Sequence, residues 1–309
     1  MKVLITGGAG FLGSALANRL VGQGHSVRVV DDLSAGDRTR LDPRVAFTAG
    51  DIRDVPKLWS LLHGVDCVYH LAARVSVPES VLYPVEYNAV NVGGTVSLLT
   101  AMRDAQVKRL VFASSGAVYG EQAQQPVSED MIPNPTTPYA VSKRASELYV
   151  QAIGQLWGIE TVILRVFNAY GPGQPIPPSH PPVVPHYLLQ AITGASVVIF
   201  GGGRQSRDFV YISDVVDALV RAGQAEGVDR CILNVGSGVE TSVAGLADAI
   251  EKVANKSLHR LSNGEEAGGV SRLVANVALA QDKLGYKPRV SLPEGLRMML
   301  AQDARFARK

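Results

Sequence analysis

Cysteine is scarce in this chain. There are two in 309 residues, Cys67 and Cys231, far apart and each in an apolar stretch. Two thiols cannot build a disulfide framework and form no metal-ligand pattern. They read as reduced core thiols, with the cytoplasm as the expected location and no bound metal. Charge of one sign is lacking too: 30 basic residues face 28 acidic ones, for a formal net charge of +2. No block of like charge stands out, so nothing in the electrostatics calls for nucleic acid or an anionic membrane as partner. No apolar run approaches the ~20 residues of a membrane span. The opening "MKVLITGGAG" is broken by glycine before it could form a signal-peptide core. There is no internal repeat and no low-complexity tail.

What is present is a core-forming chain, 46% hydrophobic, long enough for one large domain or two modest ones. Its first half alternates short apolar runs with helical patterns. "KVLIT" (2–6), "SVRVVD" (26–31), "VAFTAGD" (45–51), "VDCVYHLAA" (65–73), "VKRLVFASS" (107–115) and "IETVILRVFN" (159–168) read as strands. Near-continuous apolar strands separated by helices predict a parallel sheet covered on both faces. The fold class is therefore α/β, a Rossmann-type doubly wound sheet. The second half is less regular. It opens with "GPGQPIPPSHPPVVPH" (171–186), too dense in proline for a helix or a central strand. That segment is either a linker between lobes or a loop over a ligand cleft. Further helices and strands are expected at 183–194, 197–200, 213–226, 231–235, 242–255 and 292–307.

Between the first strand and the first helix lies "TGGAGFLG". Gly7, Gly10 and Gly13 permit a tight turn and a close approach of backbone to a pyrophosphate. The helix that follows aims its first N–H groups, at Phe11 and Leu12, toward the phosphate. The second strand ends "VVDDLSAG". Asp31 at its tip suits the two hydroxyls of an adenosine ribose and would repel a 2′-phosphate, which favours NAD over NADP. Asp32, next along at the same edge, is a second candidate to face the cofactor, although a solvated turn fits it better than it fits Asp31. After the third strand, in "GDIRD", Asp51 is placed to accept from an adenine amino group, with Ile52 packing on the ring.

"TTPYAVSK" (136–143) sets Tyr139 and Lys143 one helical turn apart, hence on one face. Thr137 reads as the N-cap and Pro138 as the first helical residue. A phenol is a poor base at neutral pH. An ammonium beside it, a positive nicotinamide and the helix N-terminus all favour the phenolate. Such a tyrosine can take a proton from an alcohol while hydride leaves the same carbon. Upstream, Ser114 and Ser115 end a strand at the carboxyl edge of the sheet, where open α/β folds bind ligands.

Together these segments resemble the extended short-chain dehydrogenases/reductases of the NAD-dependent nucleotide-sugar epimerase/dehydratase family. "TGGAGFLG", "VVDDLSAG", "GDIRD", "HLAA", "NVGGT", "SSGAVYG", "PYAVSK", "LRVFNAYGPGQ" and "RDFVYISDV" occur in family order and span nearly the whole chain. The resemblance implies an NAD-binding domain over 1–170, with segments near 205–237 packing back onto it. The rest of 171–309 would form a smaller α/β lobe for a nucleotide-diphosphate sugar, a UDP-sugar being favoured. It implies Ser115, Tyr139 and Lys143 as catalytic residues, the last two also touching NAD. Leu71, Ala72, Ala73 and Asn91 would line the cofactor. Ser115, Ala117, Asn168, Phe200 and Arg207 would face substrate. It also implies a homodimer through helices near 85–106 and 138–157, whose apolar content exceeds what one sheet face requires.

The resemblance bears on the reaction too. The family's dehydratases carry an Asp-Glu pair after the active-site serine or threonine, and its decarboxylases commonly a glutamate. Here stand Gly116 and Ala117, as in the 4-epimerases. The implied reaction is oxidation at C4 to a bound keto sugar, rotation of that sugar, and return of hydride to its other face. Another extended short-chain dehydrogenase, such as a nucleotide-sugar 4-reductase or a UDP-glucuronate epimerase, is the alternative; a non-catalytic NAD-binding scaffold is the distant one. One segment departs from the family. Where many UDP-sugar epimerases read Arg-x-Gly-Asp, this chain has "NGEEAGGVSRLVAN" (263–276). Glu266 falls at the arginine, Gly269 at the aspartate and Asn276 at a later acid, leaving Arg272 nearby as a possible substitute. Leu273 falls where the family sets sugar size.

Overall fold

A computed structural model describes residues 1–264 and 269–306. The strands in chain order are β1 (Lys2–Thr6), β2 (Ser26–Asp31), β3 (Ala46–Ala49), β4 (Cys67–His70), β5 (Arg109–Ser115), β6 (Glu160–Val166), β7 (Asn168–Tyr170), β8 (Ser196–Phe200), β9 (Ser206–Tyr211), β10 (Cys231–Val235), β11 (Glu240–Ser242), β12 (His259–Asn263) and β13 (Arg272–Leu273). Seven form one sheet in the order β10-β6-β5-β4-β1-β2-β3, every pair parallel. The order reverses at β1 and β4, which makes the sheet doubly wound, with its ligand crevice at their carboxyl ends. Val3, Leu4 and Ile5 of β1 and Leu110 and Val111 of β5 are buried on both faces. That accounts for their continuous apolar runs.

The helices are α1 (Phe11–Gly22), α2 (Val55–Leu61), α3 (Val77–Leu82), α4 (Pro84–Tyr87), α5 (Gly94–Asp104), α6 (Pro138–Trp157), α7 (Val183–Thr193), α8 (Ile212–Gln224), α9 (Val243–Ala254), α10 (Ala278–Leu284) and α11 (Leu292–Gln302). Beyond β6 the chain also builds two small sheets. In one, β9 pairs with β11, β13 and β7; in the other, β8 runs parallel to β12. β10 then returns to pair with β6 at the edge of the large sheet.

Three expectations change. The strand expected over 65–73 ends at His70. Its continuation, Leu71–Ala73, is a loop tied to β1, with Leu71 N–H donating to Thr6 O at 3.1 Å. The helix expected over 85–106 is interrupted by a π-helical turn at Asn88–Gly93. The extra residue in that turn rotates Asn91 inward, where it is buried. The proline-rich stretch, expected to run irregular to 186, is irregular only as far as Pro182; the helix expected from 183 forms as α7 and holds Pro185 in its first turn, where no N–H is needed.

Candidate active site

The glycine loop is shaped by contact with the chain around it. Gly7 has φ +68°, and a Cβ there would lie 2.6 Å from Ala72 N. A Cβ on Gly13 would lie 2.1 Å from Gly7 O, so α1 can start this close to β1 only with glycine at that place. Gly10 caps α1 with no side-chain acceptor. The first N–H groups of the helix, at Phe11 and Leu12, are therefore not taken by a cap and suit an anion. Asp31, at the end of β2, is buried and accepts from Ala9 N at 3.0 Å and Leu33 N at 2.8 Å. Burial pushes its carboxyl pKa up, against these backbone hydrogen bonds. A Cβ on Gly36 would fall 2.7 Å from Asp31 Oδ1, so the carboxylate faces a gap that only glycine keeps open. These features fit a dinucleotide with an unmodified ribose. The loop offers its backbone to the pyrophosphate and Asp31 stands by the hydroxyls.

Other expected cofactor residues are engaged locally. Asp32 is exposed and accepts from Ser34 N and Oγ. Asp51 is paired with Arg53, Oδ2 to Nη2 at 2.6 Å. That pairing holds its carboxyl below the usual range. Ile52 is buried, and its Cδ1 stands where a side chain on Gly94 would be, so it packs toward α5. Leu71, Ala72 and Ala73 form the loop over Gly7. Asn91 takes no part in an open surface. Its Oδ1 accepts from Arg74 N at 2.8 Å, and its Nδ2 donates to Arg74 O at 3.0 Å and Ser142 Oγ at 2.9 Å. It ties the loop after β4 to α6.

Ser115, Tyr139 and Lys143 converge. Ser115 ends β5, and its Oγ accepts from Ala117 N at 3.2 Å. Thr137 caps α6 by accepting from Ala140 N, Pro138 follows, and Tyr139 lies in the first turn. Lys143, one turn on, is buried and donates from Nζ to Ala113 O at 2.8 Å, over the ring of Phe112. Burial pushes the Lys143 pKa down to about 8, with Glu147 opposing. Burial raises the Tyr139 phenol, with a hydrogen bond to Ser115 opposing. The sequence reading had the ammonium lower the phenol. In the structure Lys143 bonds a backbone carbonyl, and the side chain that lowers the phenol, against its burial, is Ser115.

On the substrate side, Gly116 lies against Phe167, and Val118, Phe167, Leu273 and Ala275 share one apolar cluster. Leu273 thus backs the wall beside Gly116 and Ala117. A cleft of about 330 Å³ opens at the start of α6, lined by Glu121, Thr136, Thr137, Gly269 and Val270. Arg207 on β9 lies opposite Leu273 of β13 and donates to Ser206 O and Gln205 Oε1. Burial lowers its pKa, with Glu121 opposing. Arg272 is exposed and engaged: Nε and Nη2 each donate to Glu240 at 2.8 Å. Phe200 ends β8 partly exposed, and Asn168 opens β7 opposite Phe209. Asn276 donates from N to Val127 O and accepts from Ala278 N. Glu266 lies outside the described residues.

Residues 3–236 match the model of the NAD dependent epimerase/dehydratase family. The chain belongs to that family. It is 38% identical over 304 residues to a UDP-glucose 4-epimerase of Mycolicibacterium smegmatis, covering 96% of each chain. Among solved structures it resembles the UDP-glucose 4-epimerase of Thermotoga maritima with UDP-glucose, at TM-score 0.93 and 34% identity, covering 97% of this chain and 98% of that one. It also resembles the NAD complex of the Thermus thermophilus UDP-glucose 4-epimerase, at TM-score 0.90 and 34% identity, covering 97% and 98%.

Sequence reasoning missed several members of this site. Glu147 accepts from Ser114 Oγ at 2.5 Å, Arg165 Nε at 3.0 Å and Arg144 Nη1 at 2.9 Å, and so pins α6 to β5 and β6. Its four-residue spacing from Lys143 was the available signal. Glu240, which holds Arg272, had none. Its partner comes from a strand pairing that no local pattern reveals.

Proposed function

We propose that this family member catalyses NAD-dependent epimerisation at C4 of a UDP-sugar of the UDP-glucose/UDP-galactose type. The observation that carries the proposal is the meeting of Tyr139, Ser115 and Lys143 beside Gly116 and Ala117, which offer neither acid nor base for elimination. NAD, when bound, supplies the hydride acceptor and the positive charge that favours the phenolate. Tyr139 removes the hydroxyl proton, and Ser115 stabilises the phenolate and holds the substrate oxygen. Lys143 fixes the catalytic helix to β5 and would hold the nicotinamide ribose. The small residues at 116 and 117 leave space for the keto sugar to turn. Phe200, Asn168 and Arg207 hold the nucleotide diphosphate, so that binding energy stays at that end while the sugar moves. Arg272 joins them if the diphosphate draws it from Glu240. Incubation with UDP-glucose should yield UDP-galactose with no net change in NADH absorbance. Net formation or consumption of NADH would identify a dehydrogenase or reductase instead.

We also assign a homodimer. Of the two helices expected to pair, α5 buries Leu98, Leu99 and Met102 in the core, while α6 leaves Val141, Leu148, Tyr149 and Leu156 exposed, and Val81, Leu82 and Val85 of α3 and α4 are exposed beside it, Val85 at 81% and Leu156 at 78%. This much apolar surface on neighbouring helices suits a second copy of the chain. Two free cysteines suit a reducing compartment, the cytoplasm. Among the described residues no helix is long and apolar enough to cross a membrane.

A further inference from the structure

A line of buried polar groups runs beneath the expected cofactor site, from β1 to the catalytic helix. Ala72 N donates to Thr6 Oγ1 at 3.3 Å, and Thr6 Oγ1 lies 2.7 Å from His70 Nδ1. His70 Nε2 lies 2.9 Å from Thr95 Oγ1, which donates to Asn91 O at 2.6 Å. Asn91 Nδ2 donates to Ser142 Oγ, and Ser142 Oγ donates to Tyr139 O at 2.8 Å. Thr6, His70, Thr95, Asn91 and Ser142 are all buried.

Proton counting gives this line one solution. Thr95 spends its hydroxyl proton on Asn91 O, so toward His70 it can only accept. Nε2 must therefore carry a hydrogen. A neutral imidazole has one N–H, so Nδ1 is bare and accepts from the Thr6 hydroxyl. Thr6 in turn accepts from Ala72. Every donor then meets an acceptor. Burial, with the Lys143 ammonium adding to it, pushes the His70 pKa down to about 3, in keeping with a neutral ring. Burying polar groups brings no gain over a well-packed apolar core. What this line adds is direction. It joins the loop at Leu71–Ala73 to the helix that carries Tyr139 and Lys143.

We propose that His70 is a positioning residue, whose neutral ring with hydrogen on Nε2 sets the cofactor-side loop against the catalytic helix. The proposal rests on the epimerase reading for its kinetic consequence but not for its structural one. The ring links two walls that must stand at a fixed separation for hydride transfer, since misplacement by about 1 Å can cost ~100-fold in rate.

The experiment has two arms. In protein labelled with ¹⁵N-histidine and free of substrate, long-range ¹H–¹⁵N correlation spectra near neutral pH should show His70 as the Nε2–H tautomer. That tautomer should persist on mild acidification. A hydrogen on Nδ1, or a charged ring, overturns the proposal, and this arm needs no variant to fold. In the kinetic arm, Thr95→Val cuts the helix-side link and should lower kcat about tenfold or more while NAD affinity holds. Thr6→Val cuts the loop-side link and should weaken NAD binding more than it lowers kcat. Full turnover by Thr95→Val overturns the proposal. If the unmodified protein inverts no nucleotide sugar, the functional reading has failed instead, and the tautomer decides the structural claim.

Discussion

Glu147 and Arg165 form a two-point ion pair in the core, Oε1 to Nε at 3.0 Å and Oε2 to Nη2 at 2.9 Å, with both side chains at most 1% exposed. The same carboxylate holds Ser114, next to Ser115. Replacing Glu147 by Gln leaves the Arg165 guanidinium buried without its counter-charge. The expected cost is about 3–5 kcal/mol, as for other broken buried pairs. Replacing both partners with apolar residues of similar volume should cost less. Urea unfolding of the single and double variants checks this. Equal losses would show that the charge is not what matters.

Tyr139→Phe should fold, bind NAD and bind the nucleotide sugar, yet lose turnover by about 100- to 10,000-fold, the usual worth of general acid–base catalysis. Ser115→Ala should mainly lower the rate. Lys143→Ala should weaken both cofactor binding and rate, because Nζ also fixes the helix to Ala113. Steady-state kinetics with calorimetric NAD titration separate the three. Near-normal turnover by Tyr139→Phe would remove the catalytic assignment.

Asp31→Ser should narrow the preference for NAD over NADP. The carboxylate would repel a 2′-phosphate through little intervening water. Its loss also frees Ala9 N and Leu33 N, so some NAD affinity should go as well. Equal binding of the two cofactors by the unmodified protein would contradict the assignment.

His70 should make stability depend on pH with a definite sign. Its folded pKa, about 3, lies below the 6.5 of an unfolded histidine. The unfolded chain therefore binds more protons in that window. The stability attached to the neutral ring is complete above about pH 6.5 and is lost as pH falls toward 3, by up to ~1.4 kcal/mol per pH unit. Buried carboxylates with raised pKa, such as Asp31 and Asp208, act in the opposite sense over part of this range. The test is therefore a difference. The gap in unfolding free energy between the unmodified protein and His70→Gln should shrink as the solution is acidified. A gap independent of pH would show the ring to be charged or exposed.

The protein should sediment as a dimer at micromolar concentration. Val85→Asp combined with Leu156→Asp should shift it toward monomer, since each change places a charge on an apolar face. A monomeric unmodified protein would leave that face without its proposed occupant.

The architecture was written in local patterns. Continuous apolar strands such as "KVLIT", the glycines after them and the Thr137–Pro138 helix start each depend on neighbours a few residues away, and the structure reproduces them. Tyr139 and Lys143 could be paired from sequence because a helical turn is a local object. The sequence could not show that Lys143 would reach Ala113, that Glu147 would join α6 to Ser114 and Arg165, or that Glu240 would hold Arg272. These contacts join α6 to β5 and β6, and β11 to β13, and only the packing of helix on sheet and the order of the strands bring them together. The π-helical turn at Asn88–Gly93 was equally out of reach. The weak helix formers Asn, Val and Gly there mark no particular turn by themselves, and the turn is held by Asn91 bonding to Arg74 and Ser142 across the fold. Sequence alone therefore determined most of the elements, the glycine loop and the pairing of Tyr139 with Lys143, because periodicity and turn chemistry are short-ranged. Tertiary structure decided which groups tune and align them, because burial and long-range hydrogen bonds exist only once the sheet is assembled.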